Sequence, residues 1–307
     1  MDISIISINY NNSILTKGFI ESLLKVIPKT LDYEIIIVDN CSEIGDYTNL
    51  KSIITSLNSE KILLKRSKIN LGFGGGNMFG NQYANGTYLA FINNDVIFTE
   101  DNFSSLIDFC ERNKSCGVVT PQQYNIKNKP TTNFDHFYSL RKEFFGRRFL
   151  EKTSRKPNRK AMKYTSNLQV DFVQGCFMFF NRKAFNIVGG FDTNIFLYYE
   201  EMDICHRLKK NDYKSWLCPE TSFKHIHGAS SKKNIIIKLE LIISRMYVLR
   251  KNHSIIKYLI IKHWYIIKYL FKGFINYNYL KFVPMLIFGN YLSYSLKHKQ
   301  VIIEAND

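Results

Sequence analysis

The chain has 307 residues, 45% of them hydrophobic and 15% aromatic, so it can bury a sizeable core and is not a disordered or fibrous protein. Its net charge of +16 sits in two stretches: thirteen Lys and Arg between Lys232 and Lys299 against Glu240 alone, and ten between Arg141 and Lys163 against Glu143 and Glu151. The rest is close to neutral, which points to anionic partners at two places, such as a membrane surface or phosphates, and disfavours a nucleic-acid binder. The six cysteines form no CxxC and match no zinc or redox spacing. Asp2 stands where a secretory leader needs basic residues, so the expected setting is the reducing cytoplasm. No apolar run approaches the roughly eighteen residues of a spanning helix.

In chain order, residues 2–10 read as a buried strand, followed by Asn11 and Asn12 as caps and a helical pattern that Pro28 stops. A second strand, 33–38, ends at Asp39-Asn40. A helix at 46–58 leads to a third strand, 61–66, and a loop ending at Asn70. A glycine-rich segment precedes the next helix, and a fourth strand, 87–92, ends at Asn93-Asn94-Asp95. A helix at 101–113 and a fifth strand at 117–119 complete the alternation. Near-continuous apolar strands alternating with helices imply a Rossmann-like α/β fold, a mostly parallel sheet covered on both faces. Such sheets bind ligands outside the carboxyl ends of their strands, and here those ends are polar.

The stretch 122–170 reads as polar, basic and irregular, and is too long for a simple connection. Residues 173–181 read as one long buried strand, 182–188 as a short helix, 200–211 as an acidic helix, and 213–218 and 222–227 as two strand-like pieces. From about 235 to 272 the chain is rich in Ile, Leu, Tyr and Phe with regular lysines. On a helical wheel Lys251, Lys257, Lys262, Lys268 and Lys272 fall within about 140°, a basic amphipathic helix suited to an anionic membrane interface. The same pattern also suits a helix packed on the body with a solvated lysine face.

Chemistry concentrates at 191–207, where Glu200, Glu201 and Asp203 follow an aromatic run. Carboxylates beside apolar rings suit a base in a partly dry cleft. Acids also suit the first turn of any helix, with Asp203 and Arg207 an i,i+4 pair. The four glycines between Asn70 and Asn77 let backbone approach a ligand and aim amides at phosphate. No Gly-Lys-Ser/Thr follows, so this is not a Walker loop, and the first strand–helix turn lacks the glycines of a dinucleotide fingerprint. Asp95 at a strand tip is a plausible seat for Mg²⁺ or Mn²⁺ shared with a diphosphate. His225 and His227, two apart on a strand, would face one side and ligate metal or touch phosphate.

Asp39-Asn40-x-Ser42, Asn70-x-Gly72, Asn93-Asn94-Asp95, the block Gly175 to Arg207 and His225-x-x-Gly228-x-Ser230 resemble, in order and spacing, the inverting family-2 nucleotide-sugar glycosyltransferases. The subset looks like the bacterial rhamnosyltransferase-like enzymes of cell-surface polysaccharide assembly, over about residues 3–252. The resemblance implies a GT-A catalytic domain at 1–231, with a nucleotide-binding half at about 1–121 and an acceptor-side half at about 122–231. A C-terminal helical, membrane-interface region would occupy 232–307.

It further implies that Asp39 binds the nucleobase and that Asn9, Tyr10, Asn40, Ser42, Asn70, Gly72, Phe73, Gly74, Asn77, Asn93, Asn94 and Gly175 line the nucleotide-sugar pocket. Asp95 and His225 would hold a divalent metal, and the carboxylate after Glu200 would be the base. Two departures stand out: Glu201 where the family usually has Asp, and Asn93 where many relatives have an acid. Glu201 is preferred as base over Glu200 and Asp203. The expected partners are a nucleoside-diphosphate sugar and a lipid-linked glycan acceptor, on the inner face of the cell membrane. A nucleotide-binding oxidoreductase and a basic nucleic-acid binder are the alternatives.

Overall fold

The computed structural model describes residues 1–159, 162–226, 235–289 and 291–302. The first half runs β1 (Ile3–Asn9), α1 (Ser13–Val26), β2 (Tyr33–Asp39), α2 (Ile44–Leu57), β3 (Ile62–Arg66), α3 (Gly72–Asn81), β4 (Tyr88–Ile92), β5 (Val96–Phe98), α4 (Phe103–Arg112) and β6 (Cys116–Tyr124). Then come β7 (Pro130–Thr131), β8 (Phe134–Asp135), α5 (Leu140–Phe145), α6 (Arg147–Ser154), β9 (Leu168–Val170), β10 (Phe172–Val173), β11 (Phe177–Asn181), α7 (Arg182–Ile187), α8 (Glu200–Lys210) and β12 (Lys214–His225). Among the described residues three α-helices follow: α9 (Ile235–Asn252), α10 (Ile255–Ile275) and α11 (Phe282–Phe288).

The main sheet runs β3-β2-β1-β4-β11-β6-β12-β5, with β7 beside β6 and β9 beside β12. The β3-β2-β1-β4 block is parallel, β11 enters antiparallel between β4 and β6, and β12 returns parallel to β6. Period-two alternation divides the strands between two cores. Ile6, Ile36 and Phe91 face one, while Ile5, Ile35 and Ala90 face the other. Both faces are covered, which explains why these strands are apolar throughout.

Several sequence readings change. The strand read at 173–181 is two strands, because the chain leaves the β8–β10 pair and joins β4 and β6 only from Phe177. The Gln174 amide goes to Asn133 O at 2.7 Å, and Cys176 O accepts from the Asn93 amide at 3.0 Å. The pieces read at 213–218 and 222–227 are one strand, β12, which keeps β6 as its partner across a register shift between Cys218 and Ser222. Pro219 lies in that shift, where its missing N–H costs no ladder bond. The glycines of 72–76 lie inside α3, not before it. Gly72 opens the helix at φ +72°, and a Cβ there would stand 2.0 Å from Phe196 O. Gly80 brings α3 against the sheet, where a Cβ would meet Ile6 at 2.7 Å.

Residues 122–170 are not irregular throughout. They hold short strands and two helices, tied together by buried polar contacts: His136 is fully buried, 3.2 Å from Glu151 and 3.7 Å from Asp171. Lys142 and Arg159 pair with Asp135, Lys156 with Asp171 and Arg147 with Glu151, so much of this basic zone is neutralised within the protein.

The single basic helix is also corrected. Ser254, whose hydroxyl accepts from the Lys257 amide, starts a new helix after α9, so Lys251 does not share a wheel with the other four. Lys251 pairs with Asp192 and Asp203, Lys257 bonds Tyr138 O, and Lys262 bonds Ile287 O. Lys268 and Lys272 lie over the Tyr265 and Tyr279 rings. Tyr258, Ile261, Tyr265 and Tyr269 of α10 join the same apolar cluster as Ile6 and Phe91 of the sheet. The boundary expected at 231/232 and the motif residues His227, Gly228 and Ser230 lie outside the described residues. Among the described residues no helix is long and apolar enough to cross a membrane.

Candidate active site

The polar strand tips come together at the carboxyl end of the sheet. Asn9 is fully buried and donates to Asp39 Oδ1 (3.1 Å), Ser42 Oγ (3.1 Å) and Asp46 Oδ2 (2.8 Å) while accepting from Thr16 (2.8 Å). With its amide so engaged, Asn9 builds the wall of the crevice and does not line it, and neither does Ser42, whose hydroxyl is shared between Asn9 and the Asn11 amide. Asp39 is equally buried, accepting from the Ser42 amide and facing Arg66 Nε at 3.3 Å, so it pins the turn after β2. Asn40 spans the next gap, donating to Asn70 and Gly72 O and accepting from the Leu71 amide. Asn77 is buried inside α3. Tyr10 is 46% exposed, and Asn70, Phe73, Asn93, Asn94 and Gly175 are half-buried, which leaves them as the accessible part of the predicted pocket.

Asn94 Nδ2 reaches Thr16 at 2.9 Å, and Thr16 in turn reaches Asn9, so the tip of β4 is wired to the tips of β1 and β2. Asp95, 5% exposed, meets His225 Nε2 at 3.0 Å, a contact that pairs the end of β4 with the end of β12 across 130 residues. The opposite ring nitrogen of His225 lies 3.4 Å from Gln123, and Gln123 Oε1 accepts from the Cys176 thiol at 3.2 Å. A depression of about 300 Å³ opens beside His225, lined by Asn125, Ile126, Lys127 and Ile226.

The acidic helix is presented by strained backbone. Tyr198 and Tyr199 both have φ +72°, the left-handed region that bulky residues rarely adopt and that gathers at functional sites. Helix α9 holds them there: Ser244 donates to Leu197 O at 2.8 Å, and Arg245 Nε donates to the Tyr199 hydroxyl at 3.0 Å. The amide of Phe73 donates to Phe196 O, which fastens the glycine-rich helix to the same turn.

The three acids then separate. Asp203 is fully buried and accepts from Arg207 (2.8 Å), Lys251 (3.0 Å) and Asn252 (2.8 Å). It is a latch between α8 and α9, and its saturated carboxylate removes it as a candidate base. Glu200 is buried under Gly74, and its Oε1 has no hydrogen-bond partner. Burial and the neighbouring Glu201 charge hold its carboxyl well above the ordinary range, so it keeps its proton. Glu201 is half-buried and makes no side-chain hydrogen bond to a described residue. Burial, with a smaller push from Asp135, raises it to about 7. Environments that push neighbouring acids apart in this way assign roles. The Cys176 thiol is pushed up chiefly by burial, with smaller contributions from the charges of Asp95 and Glu201.

Residues the sequence reading missed include Thr16, Asp46, Gln123, Tyr199 and Arg245. Asp46 was legible only as an acid in the first turn of α2, yet it accepts from Asn9 and the Ser13 amide. Nothing in the spacing of Gln123 or Arg245 announces their contacts, which come from strands and helices far away in sequence.

The family model for glycosyl transferase family 2 matches residues 4–188. A search of curated protein sequences finds no match. Among solved structures, GalNAc-T7 with UDP, GalNAc and Mn²⁺ is similar at TM-score 0.59 and 14% identity, covering 81% of this chain and 48% of that one. The mannosyltransferase PcManGT from Pyrobaculum calidifontis, with GDP-Man and Mn²⁺, gives 0.56 and 11%, covering 95% and 85%. S. aureus TarS 1–349 with UDP-GlcNAc gives 0.56 and 14%, covering 83% and 68%. The chain thus spans about half the length of GalNAc-T7. At these identities the neighbours establish the fold, and the family match sets aside the oxidoreductase and nucleic-acid readings. The chain belongs to glycosyl transferase family 2 and has the GT-A fold.

Proposed function

We propose that the protein is an inverting glycosyltransferase that moves a sugar, rhamnose in the expected subset, from a nucleoside diphosphate to a hydroxyl of a growing lipid-linked glycan. The observations that carry this reading are the Asp95–His225 pair at the end of β4 and, on α8, a carboxyl raised to near neutrality with no described hydrogen-bond partner, Glu201. Solved neighbours with bound UDP-GlcNAc and GDP-Man support the donor class.

The steps follow from these residues. Glu201 takes the proton of the acceptor hydroxyl, an alcohol too weak to attack unaided. The oxygen attacks the anomeric carbon as the bond from that carbon to the phosphate oxygen breaks, and the nucleoside diphosphate leaves with the electron pair. A single displacement inverts the anomeric centre. Glu200, holding its proton, keeps a second negative charge away from the base. Tyr10, Asn93 and Asn94 remain open to the donor, and Asp39 backs its nucleobase end.

Asp95 and His225 converge, but no group of three or more metal-ligating side chains exists among the described residues. That donor set fits a divalent cation that takes its remaining ligands from a diphosphate, and the imidazole favours Mn²⁺ over Mg²⁺. A cation held there would neutralise charge on the departing diphosphate.

The reading extends to the inner face of the cell membrane, where a lipid-linked acceptor lies. It predicts that Glu201→Gln retains donor binding while transfer falls by about a hundredfold or more. Asp95→Ala should remove divalent-dependent donor hydrolysis. Transfer that survives Glu201→Gln but is lost in Glu200→Gln would move the base by one residue, and hydrolysis untouched by Asp95→Ala would end the metal role.

A further inference from the structure

Helix α10 is apolar on both sides. Its inner face packs on the body, and no described residue covers its outer face: Ile256, Ile260, Ile267, Phe271 and Phe274 lie within about 60° of one another on an ideal wheel. Phe271 is 68% and Phe274 88% exposed, and Phe288 of α11 is 81% exposed. A soluble surface rarely gathers so many large side chains without a partner.

A second segment extends this surface. Helices α5 and α6 meet at Gly146 and carry Phe144, Phe145 and Phe149, all exposed. Phe144 contacts Trp264 of α10 with ring centroids 5.0 Å apart, and Tyr265 of α10 donates to Glu143 of α5 at 2.7 Å. Phe145 and Phe149 stack at 5.0 Å. Between and beside these rings stand the exposed side chains of Arg141, Arg148, Lys152 and Arg155.

Charge separates the possible occupants. Over residues 139–163 and 235–302 the only acids are Glu143, Glu151 and Glu240. Each is turned inward: Glu143 to Tyr265, Glu151 to His136 and the Arg159 amide, Glu240 to Ser295 and the Leu296 amide. A surface with exposed rings and cations and no outward acid repels a second copy of itself. It complements anionic headgroups above an acyl layer, where rings enter the interface and guanidinium groups meet phosphate.

We infer that the α5–α6 hairpin and the outer face of α10 together form a docking surface for an anionic lipid bilayer, with Phe145, Phe149, Phe271 and Phe274 as the inserting side chains. The inference rests on the membrane location in the proposed function and names the surface that achieves it; the vesicle-binding assay itself uses no sugar donor.

The test is co-sedimentation of the full chain with vesicles of phosphatidylcholine, alone or with about a third phosphatidylglycerol. Wild type should bind the anionic vesicles about tenfold or more tightly than the neutral ones. Phe145→Ser/Phe149→Ser and Phe271→Ser/Phe274→Ser should each weaken binding by about tenfold or more. Arg148→Gln/Lys152→Gln should reduce the preference for anionic lipid. These side chains are exposed, so unfolding midpoints and donor hydrolysis in lipid-free buffer should match wild type. Failure of wild type to sediment with either vesicle overturns the inference. So does a lipid-free dimer in light scattering that Phe271→Ser/Phe274→Ser dissolves, because a second copy then covers the face. Vesicle binding by a protein without donor hydrolysis would leave the docking surface standing and remove the glycosyltransferase reading.

Discussion

Glu201 illustrates what a single side chain's surroundings decide. Its carboxyl rises from 4.5 to about 7 because burial penalises the charged form. In the proposed reaction the ionised form acts as base, so the transfer rate should climb with pH and level off above about 7, changing about tenfold per unit below it. A kcat profile already flat from pH 5 upward would contradict that. The same shift bears on folding. A raised carboxyl pKa means the folded state holds a proton between 4.5 and 7 that the unfolded state has released, so stability is greatest at low pH and falls as pH rises through about 7. Glu201→Gln should therefore melt a few degrees higher than wild type at pH 8, from at most about 3 kcal/mol, and at a similar temperature at pH 4. A melting point unchanged at pH 8 would show that burial is not what perturbs the group.

At the scale of elements, α9 gives the acidic helix its geometry. Two consecutive tyrosines at φ +72° cost on the order of 1–3 kcal/mol each and persist only where contacts over-determine them. The Arg245 guanidinium, stacked 4.6 Å from the Tyr265 ring and bonded to the Tyr199 hydroxyl, supplies such a contact. Arg245 touches no reacting atom, so its role is positioning. Arg245→Met should lower kcat by about tenfold or more with little change in donor KM, and should move the acid limb of the pH profile as Glu201 shifts. A fall in thermal stability alone, with kcat and profile intact, would make the contact merely structural. Arg245→Lys keeps a charge but not the guanidinium's planar geometry, so partial rescue is expected.

At the scale of the whole molecule, the C-terminal helices are part of the body. Tyr258, Ile261, Tyr265, Leu286 and Tyr291 share an apolar cluster with the sheet, and Asp192 and Asp203 are satisfied from α9. Truncation after His253 would strip that cluster, so the shortened chain should aggregate or lose its cooperative transition instead of becoming a soluble catalytic domain. A cooperative melt of residues 1–253 close to wild type would show that α10 and α11 are dispensable. For this reason membrane binding is better tested by surface substitutions than by deletion.

The sequence by itself determined the alternating fold through local chemistry. Buried strands must be apolar throughout, helices need their caps and stops, and ligand-facing strand tips must be polar; each leaves a mark within ten residues. The polar ends at Asp39 and Asp95, the loop at Asn70 and the acidic block at 200–203 were legible for that reason. What only the tertiary structure decided depends on partners distant in the chain. Asp203 and Glu201 look alike in sequence, yet Lys251 and Asn252 saturate one and leave the other free. The lysines of α10 look like an outward face, yet their ammonium groups find carbonyls and rings of the body, and the phenylalanines take the surface. Periodicity reports that a helix has two faces; which one meets the core is settled by packing energy over the whole domain.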